Sequence, residues 1–148
     1  KSLILQYNLQ KEQLNHLNGQ NLMVTGEWDV AQICNHCAQS VEYSMLGFPE
    51  HKSEIFKQTV GTLAFSLFAA KGSMHHSLSE PIPGALRLPA NQPIDSALAR
   101  LKKSLMDFQM YQGQLAPHFA YGELSKTDYV KAHVMHLNQH LSQISLSR

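Results

Sequence analysis

The sequence predicts an all-α fold, and three observations carry that prediction. Apolar residues recur at helical spacing in five segments. No segment sustains the period-two alternation of a half-buried strand. The joints between segments are rich in Gly, Pro, Asn and His. The expected architecture is an antiparallel four-helix bundle in a single domain spanning 1–148, with one additional helix and two long loops.

The first helix is expected over Leu3–Leu17, stopped by Asn18-Gly19. The second begins near Trp28, after Thr25-Gly26, and runs to about Met45. Val30, Ile33, Cys37, Val41 and Ser44 form its buried stripe, and Gly47-Phe48-Pro49 ends it. The third covers Ser53–Ala70, with Phe56, Val60, Leu63, Leu67 and Phe68, and closes at Gly72. The fourth starts at Pro93, a residue suited to a first helical turn. It carries Ile94, Leu98, Leu101, Leu105 and Phe108 on one side. The fifth opens on Ser125 as N-cap with Asp128 three residues on, and runs to about Ile144. The two long loops are 72–92 and 113–124, and loops of that length on a compact bundle are often functional.

At 148 residues the chain suits one core, and its charged share of 16% is too low for disorder. Twelve basic and eleven acidic side chains give a formal charge of only +1, with no basic patch for nucleic acid. No stretch approaches the roughly 18–20 unbroken apolar residues of a membrane span, so a soluble protein without a membrane partner is expected. Lys1 already reads as helical, which suggests that a signal segment or leader once preceded it, or that the chain was trimmed.

Nine histidines are out of proportion, and three of them fall between His133 and His140. On a wheel at about 100° per residue, Tyr129, His133, His136, Leu137, His140 and Ile144 share the face that the last helix must bury. Buried imidazoles require polar partners, and a metal ion is one. His136 and His140 stand at i and i+4, where both rings can converge on one ion. His133 and His140 are separated by a rise of roughly 10 Å, so His133 is expected in the core or behind the ligands. A third ligand must come from a facing helix, and His36 is the candidate. Three neutral imidazoles leave coordination positions open, as catalytic sites do. Zinc or nickel fits such a donor set first, with iron or manganese also compatible.

Other chemistry is weaker. Cys34 and Cys37 form a CxxC, but inside a helix with no strand before it, so buried thiols are expected. His75, His76, His118 and Tyr121 lie in the long loops, where they can orient a bound group or move a proton. Glu42 and Glu123 are the nearest acidic candidates for a base. No nucleophile elbow, phosphate-binding loop or dinucleotide fingerprint is present.

Trp28 with His36-Cys37-Ala38-Gln39-Ser40, and His136-Leu137-Asn138-Gln139-His140 followed by Gln143-Ile144, resemble the DinB/YfiT-like superfamily of helical-bundle metalloenzymes. Ser40–Pro49, Pro81–Gly84 and Pro117–Gly122 resemble one bacterial branch of it, a domain of unknown function. The similarity runs from about Trp28 to Ile144. The chain departs from the commonest pattern at Leu141 and in the extra imidazole of His133. The resemblance implies a divalent metal on His36, His136 and His140; His118, Tyr121, His75 and His133 are candidates to stand behind those ligands from their place in the loops and on the last helix alone. The resemblance also implies a small-molecule substrate, in some relatives a low-molecular-weight thiol, and transferase or isomerase chemistry. The sequence leaves the compartment open between the bacterial cytoplasm and, after removal of a signal segment, the periplasm. A homodimer through exposed bundle faces is compatible. Two alternatives stand beside a metal-dependent enzyme: a closed metal site completed by His133, His118 or a cysteine, and a metal-free bundle acting through protein contacts.

Overall fold

The computed structural model describes residues 8, 12, 22–24, 26–74 and 80–146. Apart from Asn8 and Glu12, the expected first helix lies outside the described residues, as do His75 and His76. A short strand β1 (Leu22–Val24) precedes helix α1 (Val30–Leu46). The next helical stretch is α-helical over Glu54–Phe56 (α2), π-helical over Lys57–Gly61, and α-helical again over Thr62–Lys71 (α3). Then come α4 (Ile94–Met110), α5 (Lys126–Leu141) and a strand β2 (Ile144–Leu146). The described residues are therefore mainly helical, as the periodicity predicts. None of their helices is long and apolar enough to cross a membrane.

Local chemistry sets the helix ends. Asp29 caps α1: its side chain accepts from the Gln32 amide, and the Gln32 side chain accepts in return from the Asp29 amide. Ser53 and Ser125 cap α2 and α5 in the same sense. Gly72 adopts the left-handed conformation that closes α3, donating to the Phe68 carbonyl.

α1 lies at the centre, packed against both α4 and α5, while α3 packs on α5. Val30, Ile33, Cys37, Val41 and Ser44 are all buried, as is the α4 row of Leu98, Leu101, Leu105 and Phe108. Ile94 is the exception in that row and is exposed. The half-buried Arg100 of α4 grips the Glu42 carboxylate of α1 with two hydrogen bonds of 3.0 and 2.7 Å. The loop after α3 is strapped onto α1. Gln32 and Gln39 donate to the carbonyls of Leu88 and Leu86, and Asp29 accepts from the Asn91 amide. Those bonds carry Ile82 and Leu88 into the interior.

Two expectations are corrected. The stripe assigned to the third helix does not face the core: Val60, Leu63 and Leu67 are exposed, and Phe65 is the buried ring. Residues 58–70 contain no charge, so periodicity cannot choose a face there. The π turn, with its wider i to i+5 spacing, also shifts the phase of everything after it. The second correction is a strand pair where none is expected. β1 and β2 run antiparallel, with Leu22 opposite Leu146 and Val24 opposite Ile144, so α5 stops at Leu141 rather than continuing to Ile144. Three-residue strands are too short to leave an alternation in the sequence.

Candidate metal centre

α1 contributes His36 and α5 contributes His136 and His140, one turn apart. Packing of α1 on α5 brings the three rings together, with centroids 4.5–4.8 Å from one another in edge-on arrangements. One nitrogen from each lies within 4.8 Å of the other two, and the Nε2 atoms of His36 and His136 are 3.0 Å apart. Donors around one tetrahedral ion at roughly 2.0–2.1 Å are about 3.3–3.4 Å from each other. The widest pair must therefore close by up to about 1.4 Å, a shift of the size that rotation of an imidazole about its side-chain bonds supplies. The donor set fits a divalent metal.

The site has a sealed side and an open side. His140 is fully buried and His36 is 2% exposed. Trp28, immediately before the cap of α1, lays its ring against His36 at 4.7 Å and His140 at 6.3 Å, closing one side. On the other side lies a cavity of about 230 Å³, to which His36 and His136 contribute. Its walls include Met74 and Ile82 from one long loop, and His118, Phe119 and Tyr121 from the other. Lys52 and Glu80 line it as well, and both are exposed.

The last-helix histidines are sorted by what they touch. His133 Nε2 is 3.2 Å from Ser44 Oγ, whose own proton goes to the Val41 carbonyl, so the imidazole donates to the hydroxyl. The Phe108 ring stands edge-on to it at 4.8 Å. His133 is thus engaged with α1 and α4 outside the triad. Burial pulls its pKa down to about 3, so it is neutral. Its folded pKa lies below the unfolded value of about 6.5, so between roughly pH 6.5 and 3 only the unfolded chain takes up this proton. Stability is therefore fully present above 6.5 and falls as the pH drops through that window, by up to about 1.4 kcal/mol per unit. Denaturant titrations of metal-free protein should show a shallower acid-side loss in His133→Gln; an unchanged slope contradicts the assignment.

His118 is pinned differently. Its Nδ1 accepts from the amides of Ala120 and Tyr121, each at 3.1 Å, which fixes the Nε2–H tautomer. Tyr121 stacks on it at 4.2 Å, and burial pushes the Tyr121 hydroxyl up to about 12, so it stays protonated. The loop is held against the π turn: Phe119 accepts from the Lys52 amide, and Gly61 lies where any Cβ would overlap the Ala120 carbonyl.

The remaining candidates separate from the site. Glu42 is held by Arg100, and Glu123 lines a shallow depression with Tyr111 and Lys126; neither lines the cavity, so neither is placed as a base. Cys34 and Cys37 are buried and unpaired with each other. Burial, with the nearby Asp29 charge, pushes Cys34 up to about 12; burial, with Cys34 beside it, raises Cys37 well above its usual value. Both remain thiols rather than nucleophiles. Sequence reasoning met Gln143 only as part of the resembling motif and gave it no role; its Oε1 is 3.0 Å from His140 Nδ1. A polar residue three positions after a candidate ligand, at a helix end, was the available signal.

The family model described as Protein of unknown function (DUF1569) matches residues 5–146, so the chain belongs to that family. No curated protein and no solved structure matches the chain.

Proposed function

We propose that this member of the DUF1569 family is a divalent-metal-dependent enzyme for hydrolysis or group transfer, built as one DinB/YfiT-like helical-bundle domain. The observation that carries the reading is the convergence of His36, His136 and His140 from two packed helices at a cavity of about 230 Å³. His36, His136 and His140 hold the ion, with zinc or nickel the best match to three imidazoles. A divalent ion in such a site acts as a Lewis acid, lowering the pKa of a water or thiol so that a nucleophile exists at neutral pH.

The chain's own residues supply the rest. Trp28 shields the ligands from solvent on the sealed side. The apolar walls from Met74, Ile82 and Phe119 favour a small organic substrate and exclude bulk water from the reacting region. His118 and Tyr121, fixed by backbone amides and by their mutual stacking, orient that substrate. His133 is engaged by Ser44, and among the described residues the cluster that could share an ion is His36, His136 and His140, without either cysteine. This favours an open coordination sphere over a closed structural one.

The test is elemental analysis of untagged protein, followed by ester-hydrolysis and thiol-transfer screens on zinc- and nickel-loaded samples. About one ion per chain is expected, with turnover that chelation removes and the same ion restores. Failure to bind zinc or nickel after reconstitution would sink the reading.

A further inference from the structure

We infer that Gln143 is a positioning residue that sets the tautomer of His140 and so decides which of its nitrogens faces the centre. This rests on the metal reading above. His140 is 0% exposed and Gln143 is 3% exposed, so their mutual geometry is fixed away from bulk solvent. His140 Nδ1 and Gln143 Oε1 are 3.0 Å apart. An amide oxygen only accepts, so Nδ1 must carry the proton. In a neutral imidazole, that leaves the lone pair on Nε2, the nitrogen a ligand in this position must present. The opposite orientation of the amide would put a donor against Nδ1, place the proton on Nε2 and switch the ligand off.

The backbone explains why this one glutamine can hold the ring. Gln143 lies just past the end of α5, and its amide donates to the His140 carbonyl at 3.1 Å. The next residue, Ile144, opens β2 and pairs with Val24 of β1. β1 leads into the turn that carries Trp28, whose ring faces His36 and His140. The strand pair therefore ties down both the residue that orients His140 from behind and the ring that covers it. The position of the strand pair suits a brace for this corner of the site.

The experiment compares wild type with Gln143→Met, which fills similar volume without an acceptor, and Gln143→Glu, which keeps one. Zinc affinity is measured by competition with a chromophoric chelator, and apo-protein melting checks folding. Long-range proton–nitrogen NMR of the apo chain reads which His140 nitrogen is protonated. Wild type and Gln143→Glu should show protonated Nδ1 and zinc affinities within a few fold of each other. Gln143→Met should lose that signature and bind zinc about 10–100-fold more weakly while still folded. Undiminished zinc binding by Gln143→Met, or a protonated Nε2 in apo wild type, overturns the inference. Protonated Nδ1 in a wild-type chain that binds no zinc overturns the metal reading and leaves the tautomer assignment standing.

Discussion

His136→Ala should bring the bound divalent metal from about one ion per chain to background. The loss in affinity should exceed the roughly 10–100-fold that removing an outer hydrogen-bond partner costs, because a donor atom itself is gone. His136 is the informative ligand to remove. It is half-buried and borders the cavity, so its truncation leaves the core largely intact, whereas His140 is fully enclosed and its loss opens a void. Melting reports the same event independently. At a free metal concentration a hundred times Kd, binding adds about 2.7 kcal/mol to wild type. For a chain of this size that is roughly 5–10 °C in Tm, and chelation should remove it. The variant should melt at one temperature with or without metal. Tight binding retained by His136→Ala would show that the three rings do not share an ion.

The second large effect is structural, at a residue with no chemistry of its own. Gly61→Ala should destabilise the chain by about 3 kcal/mol or displace the 117–122 loop, because the added methyl collides with the Ala120 carbonyl. That neighbour is backbone held by its own contacts, with Phe119 bonded to Lys52 and the His118–Gly122 turn closed on itself, so it cannot swing aside cheaply. The same loop supplies His118, Phe119 and Tyr121 to the cavity. Chemical denaturation measures the stability loss, and zinc affinity of the folded fraction tells whether the wall moved without the floor. Wild-type stability would mean the approach of loop and helix is looser than it stands here.

The legible part of the molecule is the part built from side-chain rhythm. α1 and α4 declare their buried faces because apolar and polar residues alternate at helical spacing around them. The HxxxH pair declares itself by its i, i+4 spacing on the face that α5 turns toward the core. The α3 face was not legible: a run without a single charge offers no contrast, and the π turn breaks the constant angle that a wheel assumes. His133 was set aside from the ligands on rise alone, and its bond to Ser44 supplies the reason it still sits in the core. The strand pair depends on contact between distant segments, which nothing in a local window encodes, whereas Gln143 is a local i, i+3 partner of His140 whose role the spacing could have raised. The Asp29–Gln32 capping box, by contrast, was written in the sequence and overlooked.

The distance along the chain between the facing histidines has a consequence for biosynthesis. His36 and His136 stand a hundred residues apart. Closing so long a loop is entropically costly until the intervening helices have collapsed, so this contact belongs to the late part of folding. During synthesis at about 5–20 residues per second, His36 waits roughly 5–20 s before its partners on α5 exist. No ion can be captured by the triad from a nascent chain. On the proposed reading, a three-histidine site exists only once α5 has been made, so metal uptake would follow its synthesis.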